Sequence, residues 1–184
     1  MKLSLLSIAL GLGMGLPQVY GLAKPNAFAE TVRKFPRSLP AGYILMTLGT
    51  IWFLWNVKQE PIADFAAYKQ TMLMAFAAIG IGSCIFVQDF LAVRGLAVVL
   101  MLLAKLMVDT GRPHLGATPW VLVIQAWAYV LVLAGMWFTV SPWRLRDLLN
   151  WATANEKRVK IGSALRLAFG LFVAVLGFTA FHAM

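Results

Sequence analysis

The sequence predicts an all-α fold: a polytopic transmembrane helix bundle of about six spans, with two short amphipathic helices lying in the membrane interface. Three observations predict it. The chain is 61% hydrophobic and 12% charged, whereas soluble domains carry about 25% charged residues. The apolar residues come in long blocks, and blocks of about 18 or more nearly charge-free residues read as spanning helices. Runs such as Trp120 to Val140 lack the polar–apolar alternation that barrel strands need. The 184 residues read as a single integral membrane domain.

The first span is read over residues 3–22. Its basic start, apolar stretch and small-residue end also have the form of a secretory signal peptide, and the segment is read as the first spanning helix. Gly11 and Gly15 stand in GxxxG spacing, which lets two helix backbones approach closely. Pro17 is expected to kink this helix.

The segment Lys24 to Gly42 follows. Asn26 is expected to cap a short helix with Phe28, Val32 and Phe35 on one side and Glu30, Arg33 and Lys34 elsewhere. Pro36 and Pro40 are expected to end it. The second span covers 41–57, with Trp52 and Trp55 near its end, where indoles sit among head groups. A polar connection, "KQEPIADFAAYKQ", leads to the third span, 71–87. A tight hinge, "QDFLAVRG", opens the fourth, 90–108. The loop "DTGRPHLGATP" precedes the fifth span, 120–140, which has no charge at all.

"SPWRLRDLLNWATANEKRVK" is the second interfacial helix. Ser141 suits an N-cap and Pro142 the first helical position. Leu145, Leu148, Leu149 and Ala152 share one face. The last span is read over 161–181, with Arg166 about one turn inside. Arg166 is expected to reach back toward the basic loop, and Asp89 or Asp147 is a conceivable partner.

The net charge of +9 is concentrated between the apolar blocks. Aromatic platforms for nucleic acid are missing, so nucleic acid is not an expected partner. The basic residues point instead to anionic lipid head groups and to control of topology. Ten basic residues follow the first, third and fifth spans: Lys24, Arg33, Lys34, Arg37, Arg94, Arg144, Arg146, Lys157, Arg158 and Lys160. Lys2, Lys58, Lys69 and Arg112 fall on the other side. The larger group is expected to face the cytoplasm, which places both termini on the non-cytoplasmic side of an inner membrane. An even number of spans is required for this.

Cys84 is the single cysteine, which excludes an intramolecular disulfide and a cysteine metal cluster. Small neighbours make it a packing residue. Met46, Met72, Met74, Met101 and Met107 read as fillers of packing gaps. The two halves show no matching glycine, proline or charge pattern, so an inverted-repeat transporter gains no support.

Two stretches resemble known families. "SPWRLRDLL" followed by "KRVKIGSALRLAFGLFVAVLGF" resembles the loop and second helix of a small two-helix bacterial inner-membrane family of unknown function. The likeness covers about forty residues. It implies a bacterial inner membrane and brings no activity. Lys105, six residues, then Arg112-Pro113 resemble the first phosphate-binding motif of the phosphatidic-acid phosphatase type 2 superfamily. That superfamily is six-span and helical, and the resemblance implies phosphate binding by Lys105 and Arg112. The chain departs from its pattern thereafter. It has no Pro-Ser-Gly-His, and its remaining histidine, His182, lacks the flanking Ser-Arg and Asp. The nucleophile and general acid of a two-step transfer are then missing.

The candidate site residues are Arg94, Lys105, Asp109, Arg112 and His114. Lys105 and Asp109 are four residues apart on one helix and can pair. Lys105 can also extend its stem along the helix and place its ammonium at the interface. Arg94 lies eleven residues before Lys105 on nearly the same face, and Asp89 could balance it. Together they could bind an anionic head group or solute. His114 and His182 lack the further ligands of a metal or haem site, so no catalytic residue and no cofactor are expected. The expected function is that of a non-catalytic accessory, structural or assembly subunit of an inner-membrane complex, in contact with other membrane proteins or with itself. A small transporter or channel for a polar or anionic solute is the alternative, and a lipid-phosphate-binding protein or enzyme the remote one.

Overall fold

The computed structural model describes residues 2–60 and 68–182. Among these the secondary structure is helical throughout: α1 (Leu3–Ala23), α2 (Pro25–Lys34), α3 (Leu39–Gln59), α4 (Lys69–Phe86), α5 (Leu91–Gly111), α6 (Val121–Val140), α7 (Trp143–Ala152) and α8 (Glu156–Phe178). Five of them (α1, α4, α5, α6 and α8) are long and apolar enough to cross a membrane. A sixth span is reached when Pro25–Arg37 and Leu39–Gln59 are taken together as one bent element. The chain is thus a helical membrane protein with five or six spans.

The observed boundaries differ from the expected ones where polar residues continue a helix beyond the apolar block. α3 extends to Gln59 and α8 begins at Glu156, five residues before the expected Ile161. Hydropathy marks where the lipid ends, whereas backbone hydrogen bonding marks where the helix ends. The middle of the polar connection, residues 61–67, lies outside the described residues.

Two capping expectations are corrected. Asn26 does not cap α2, because the helix already starts at Pro25, whose fixed φ suits a first helical position. Pro40 does not end a helix. It stands at the second position of α3, where its missing N–H costs nothing, and Ser38 Oγ accepts from the Ala41 N–H as the N-cap. Pro36 lies in a 3-10 turn, Phe35–Arg37. α7 starts at Trp143, directly after Pro142.

The described residues fall into two compact units. One comprises 1–34, 103–131 and 146–184, and the other 35–102 and 132–145. In the first unit α1 and α8 pack backbone against backbone. A Cβ on Gly170 would stand 2.6 Å from the Gly11 carbonyl oxygen and 3.0 Å from the Gly15 nitrogen. Ser4, Ser7, Gly11, Gly15 and Gln18 are buried on α1, and Ser163, Gly170, Ala174 and Gly177 on α8. Lipid offers no hydrophobic force between spans, so such small-residue seams hold by close van der Waals contact. The GxxxG expectation is met here. α1 runs through Pro17 without interruption. On α6, Trp127 sets its ring edge-to-face on Phe169 at 5.1 Å, and Trp120 does so on Phe172 at 6.0 Å. Each such pair contributes about 0.5–1.5 kcal/mol beyond area burial. Trp127 therefore serves the packing of α6 against α8.

In the second unit α5 passes close to α3, since a Cβ on Gly95 would lie 2.7 Å from the Met46 nitrogen. Met46 is buried there, as is Met107 in the first unit, while Met74 is 58% exposed on α4 and fills no gap. α4 rests on α3 through the Phe53–Phe76 ring pair at 5.0 Å and the seating of Gly80 on Thr50. Cys84 is half-buried in the same shallow groove, with Tyr43, Thr47 and Thr50. None of the residues of α4 is buried. The hinge before α5 places Phe90 at φ 54°, the one non-glycine residue with positive φ among those described. Arg37 covers its ring, with the guanidinium carbon 5.8 Å from the ring centre.

Candidate interfacial binding site

The five residues singled out from the sequence divide between the two units. Lys105 and Asp109 form the expected i,i+4 ion pair at 2.6 Å, with side chains 41% and 51% exposed. Arg112 and His114 follow in a 3-10 turn after α5, Arg112 exposed and His114 half-exposed. All four belong to the first unit. Arg94 belongs to the second, where its Nε is buried without a hydrogen-bond partner. The expected Asp89 counter-charge is not engaged: Asp89 is exposed, and no ion pair joins it to Arg94 among the described residues. The left-handed turn at Phe90 separates Asp89 from the start of α5, so the two do not share a helical face.

A better-built site lies at the corner between α7 and α8, and α2 packs against it. α7 ends at Ala152, where the Leu149 and Trp151 carbonyls still accept from the Thr153 and Ala154 N–H groups. Cations add to this at the Trp151 and Thr153 carbonyls. Arg33 donates from Nη2 to the Thr153 carbonyl and from Nε to Thr153 Oγ1 at 2.8 Å. Thr153 Oγ1 in turn donates to the Leu149 carbonyl at 2.7 Å. Arg158 donates from Nη1 to the Trp151 carbonyl at 3.2 Å, and its guanidinium carbon lies 5.1 Å from the Trp151 ring centre. Positive charge at a helix C-terminus is favourable in itself, so these residues have a local structural reason beyond topology.

Two clefts open at this corner. A polar one, about 510 Å³, is lined by Asn26, Glu30, Arg33, Lys34, Thr153 and Glu156 among others. Lys34 pairs with Glu30 at 2.6 Å, and this ammonium holds the Glu30 carboxyl below the usual carboxylate range. The second cleft, about 300 Å³, is mainly apolar. Phe28, Val32, Ile161 and Leu165 form walls, Trp151 an edge, and Arg158 and Arg166 the charges. Arg166 curls toward the start of α8, as expected. Its Nη2 lies 3.9 Å from where a Cβ on Gly162 would stand. Of the two carboxylates considered as its partner, Asp147 is bound instead by Arg146 at 2.8 Å.

Sequence reasoning placed Arg166 but missed its relation to Arg158. The signal is Arg158, Gly162 and Arg166 in steps of four along one helix face. With α8 begun at Ile161, Arg158 fell in a loop and the register was hidden. Neither cleft is lined by Arg94, Lys105, Asp109, Arg112 or His114. Comparison of the chain with protein-family models, with curated proteins and with solved structures gives no match.

Proposed function

We propose that the protein is a non-catalytic accessory or assembly subunit of a larger inner-membrane complex, with α4 as its lateral contact. The observation that carries this reading is the state of α4. It is an 18-residue apolar helix with no buried residue, and the described packing partner it has is α3. Groups along it, from Met74 through Ile79 and Ile81 to Ile85, stand 58–63% exposed. A span held on one side only leaves a long face for a neighbouring helix. The half-exposed Lys105–Asp109 pair fits the same reading, as an interfacial ion pair closing off the end of α5.

The excess of basic residues after the first, third and fifth spans supports a six-span arrangement with α2, α7 and the start of α8 facing the cytoplasm. In that arrangement α3 is a span and α2 lies along the surface. Purification of the full chain from its native membrane in mild detergent tests the subunit reading. The expected result is a discrete, reproducible species larger than the monomer, containing defined further chains. A lone monomer at native expression level contradicts it.

One observation favours a second reading, a carrier of anionic solutes: the buried, unpartnered Nε of Arg94 in α5. Ionisable groups inside spans often mark solute paths. Proteoliposome uptake of a small anion, abolished by Arg94→Gln, would support it.

A further inference from the structure

We propose that the apolar cleft between α2, the α7–α8 corner and the first turns of α8 is a binding site for one anionic phospholipid. Arg158 and Arg166 would hold the phosphate, and Phe28, Val32, Ile161 and Leu165 would flank the start of an acyl chain. The proposal is independent of the subunit reading, because it concerns one cleft within one unit of the chain.

The cleft has the polarity of a phospholipid. About 300 Å³ is lined chiefly by carbon, with two guanidinium groups as its charges. Neither arginine is neutralised by a carboxylate among the described residues. Arg158 spends one donor on the Trp151 carbonyl, and a guanidinium has five. Arg166 has no hydrogen bond or ion pair among the described residues. Of the neighbouring cations, Lys160 is committed to Glu156 at 2.6 Å, Lys34 to Glu30 and Arg33 to Thr153, and Lys157 does not line the cleft.

Gly162 completes the arrangement. It lies midway between the two arginines on the helix and lines the cleft. Arg166 lies back along α8 over it, with Nη2 3.9 Å from where a Cβ would stand, so a side chain larger than a methyl there would compete with the guanidinium for the same space. A pair of planar guanidinium groups suits the bidentate recognition of a phosphate. Trp151, 63% exposed beneath Arg158, offers an indole edge at head-group level.

The test uses the full chain in mild detergent, with lipid occupancy counted by native mass spectrometry during titration with phosphatidylglycerol, phosphatidylcholine or inorganic phosphate. The expected result is one saturable phosphatidylglycerol per chain, bound in preference to phosphatidylcholine and not displaced by equal inorganic phosphate. Arg158→Gln with Arg166→Gln should weaken it about 10-fold or more, from roughly 1 kcal/mol for each basic contact to anionic lipid. Lys157→Gln with Lys160→Gln removes the same charge outside the cleft and should leave affinity within about 2-fold, since those residues would make no direct contact. Gly162→Leu keeps all charge, fills the cleft and should abolish the saturable site. That variant decides the matter if the arginine double variant does not fold. Equal weakening by the two double variants would overturn the proposal, leaving only general attraction to anionic surfaces. So would full retention of binding in Gly162→Leu, or equal binding of inorganic phosphate.

Discussion

Gly11 of α1 and Gly170 of α8 meet with no side chain between them: a Cβ on Gly170 would lie 2.6 Å from the Gly11 carbonyl oxygen. The seam between the first and last spans depends on this absence. Gly170→Leu should therefore force the helices apart and cost about 1–3 kcal/mol, the usual range for overpacking. Gly13→Leu is the matched control, because nothing stands within 4 Å of a Cβ there. Thermal unfolding in detergent should show a clear loss for the first variant and none for the second.

The Arg33–Thr153 contact ties α2 to the α7–α8 corner over 120 residues of sequence. Thr153→Val keeps the shape and removes the hydroxyl that both accepts from Arg33 and donates to Leu149. A loss of about 1 kcal/mol is expected, the net worth of a hydrogen bond. Amide hydrogen exchange in α2 should quicken while the exchange of α1 stays unchanged.

Lys105 and Asp109 are paired but half-exposed, at 41% and 51%. Exposed i,i+4 pairs contribute about 0.3–0.5 kcal/mol. A double-mutant cycle with Lys105→Gln and Asp109→Asn should return a coupling of that size. A coupling several times larger would show that the pair is shielded, as in a solute path or a tight interface.

Acidification should act on α2 through Glu30. The Lys34 hydrogen bond and charge lower its pKa in the folded chain below the ordinary 4.5. A carboxyl with a depressed folded pKa contributes stability that is fully present above its unfolded pKa. That contribution is lost as pH falls through the folded value. The Glu30 contribution should therefore be constant near neutral pH and be lost in the range below 4.5, and Glu30→Gln should remove that part of the pH dependence. A side-chain carboxyl titration by NMR should place the midpoint under 4.5, and a midpoint above it would contradict the assignment.

The spans were legible in the sequence because the bilayer demands long apolar blocks, and a run such as Trp120 to Val140 meets that demand alone. Gly11 and Gly15 marked the closest helix contact because small residues are what such a contact requires. Pro40 misled because proline suits a helix's first turn as well as its end, and only Ser38, two residues earlier, tells which. The candidate site was less legible. Lys105 and Asp109 stood out by lying in an apolar run, yet they serve each other. Arg158 and Arg166 looked like ordinary boundary charges until α8 was seen to start at Glu156. Phe28 and Val32 reach the same cleft from α2, through a long-range packing that no local pattern encodes.

The central claim is that α4 is a contact surface for another membrane protein, and site-specific photo-crosslinking tests it most directly. A photoreactive amino acid at Ile81, which is 61% exposed on α4, should give a discrete protein adduct of one defined mass in the native membrane. The same group at Tyr129, 62% exposed on α6, should not give that adduct. Only lipid adducts at Ile81, with the chain remaining monomeric, would contradict the account.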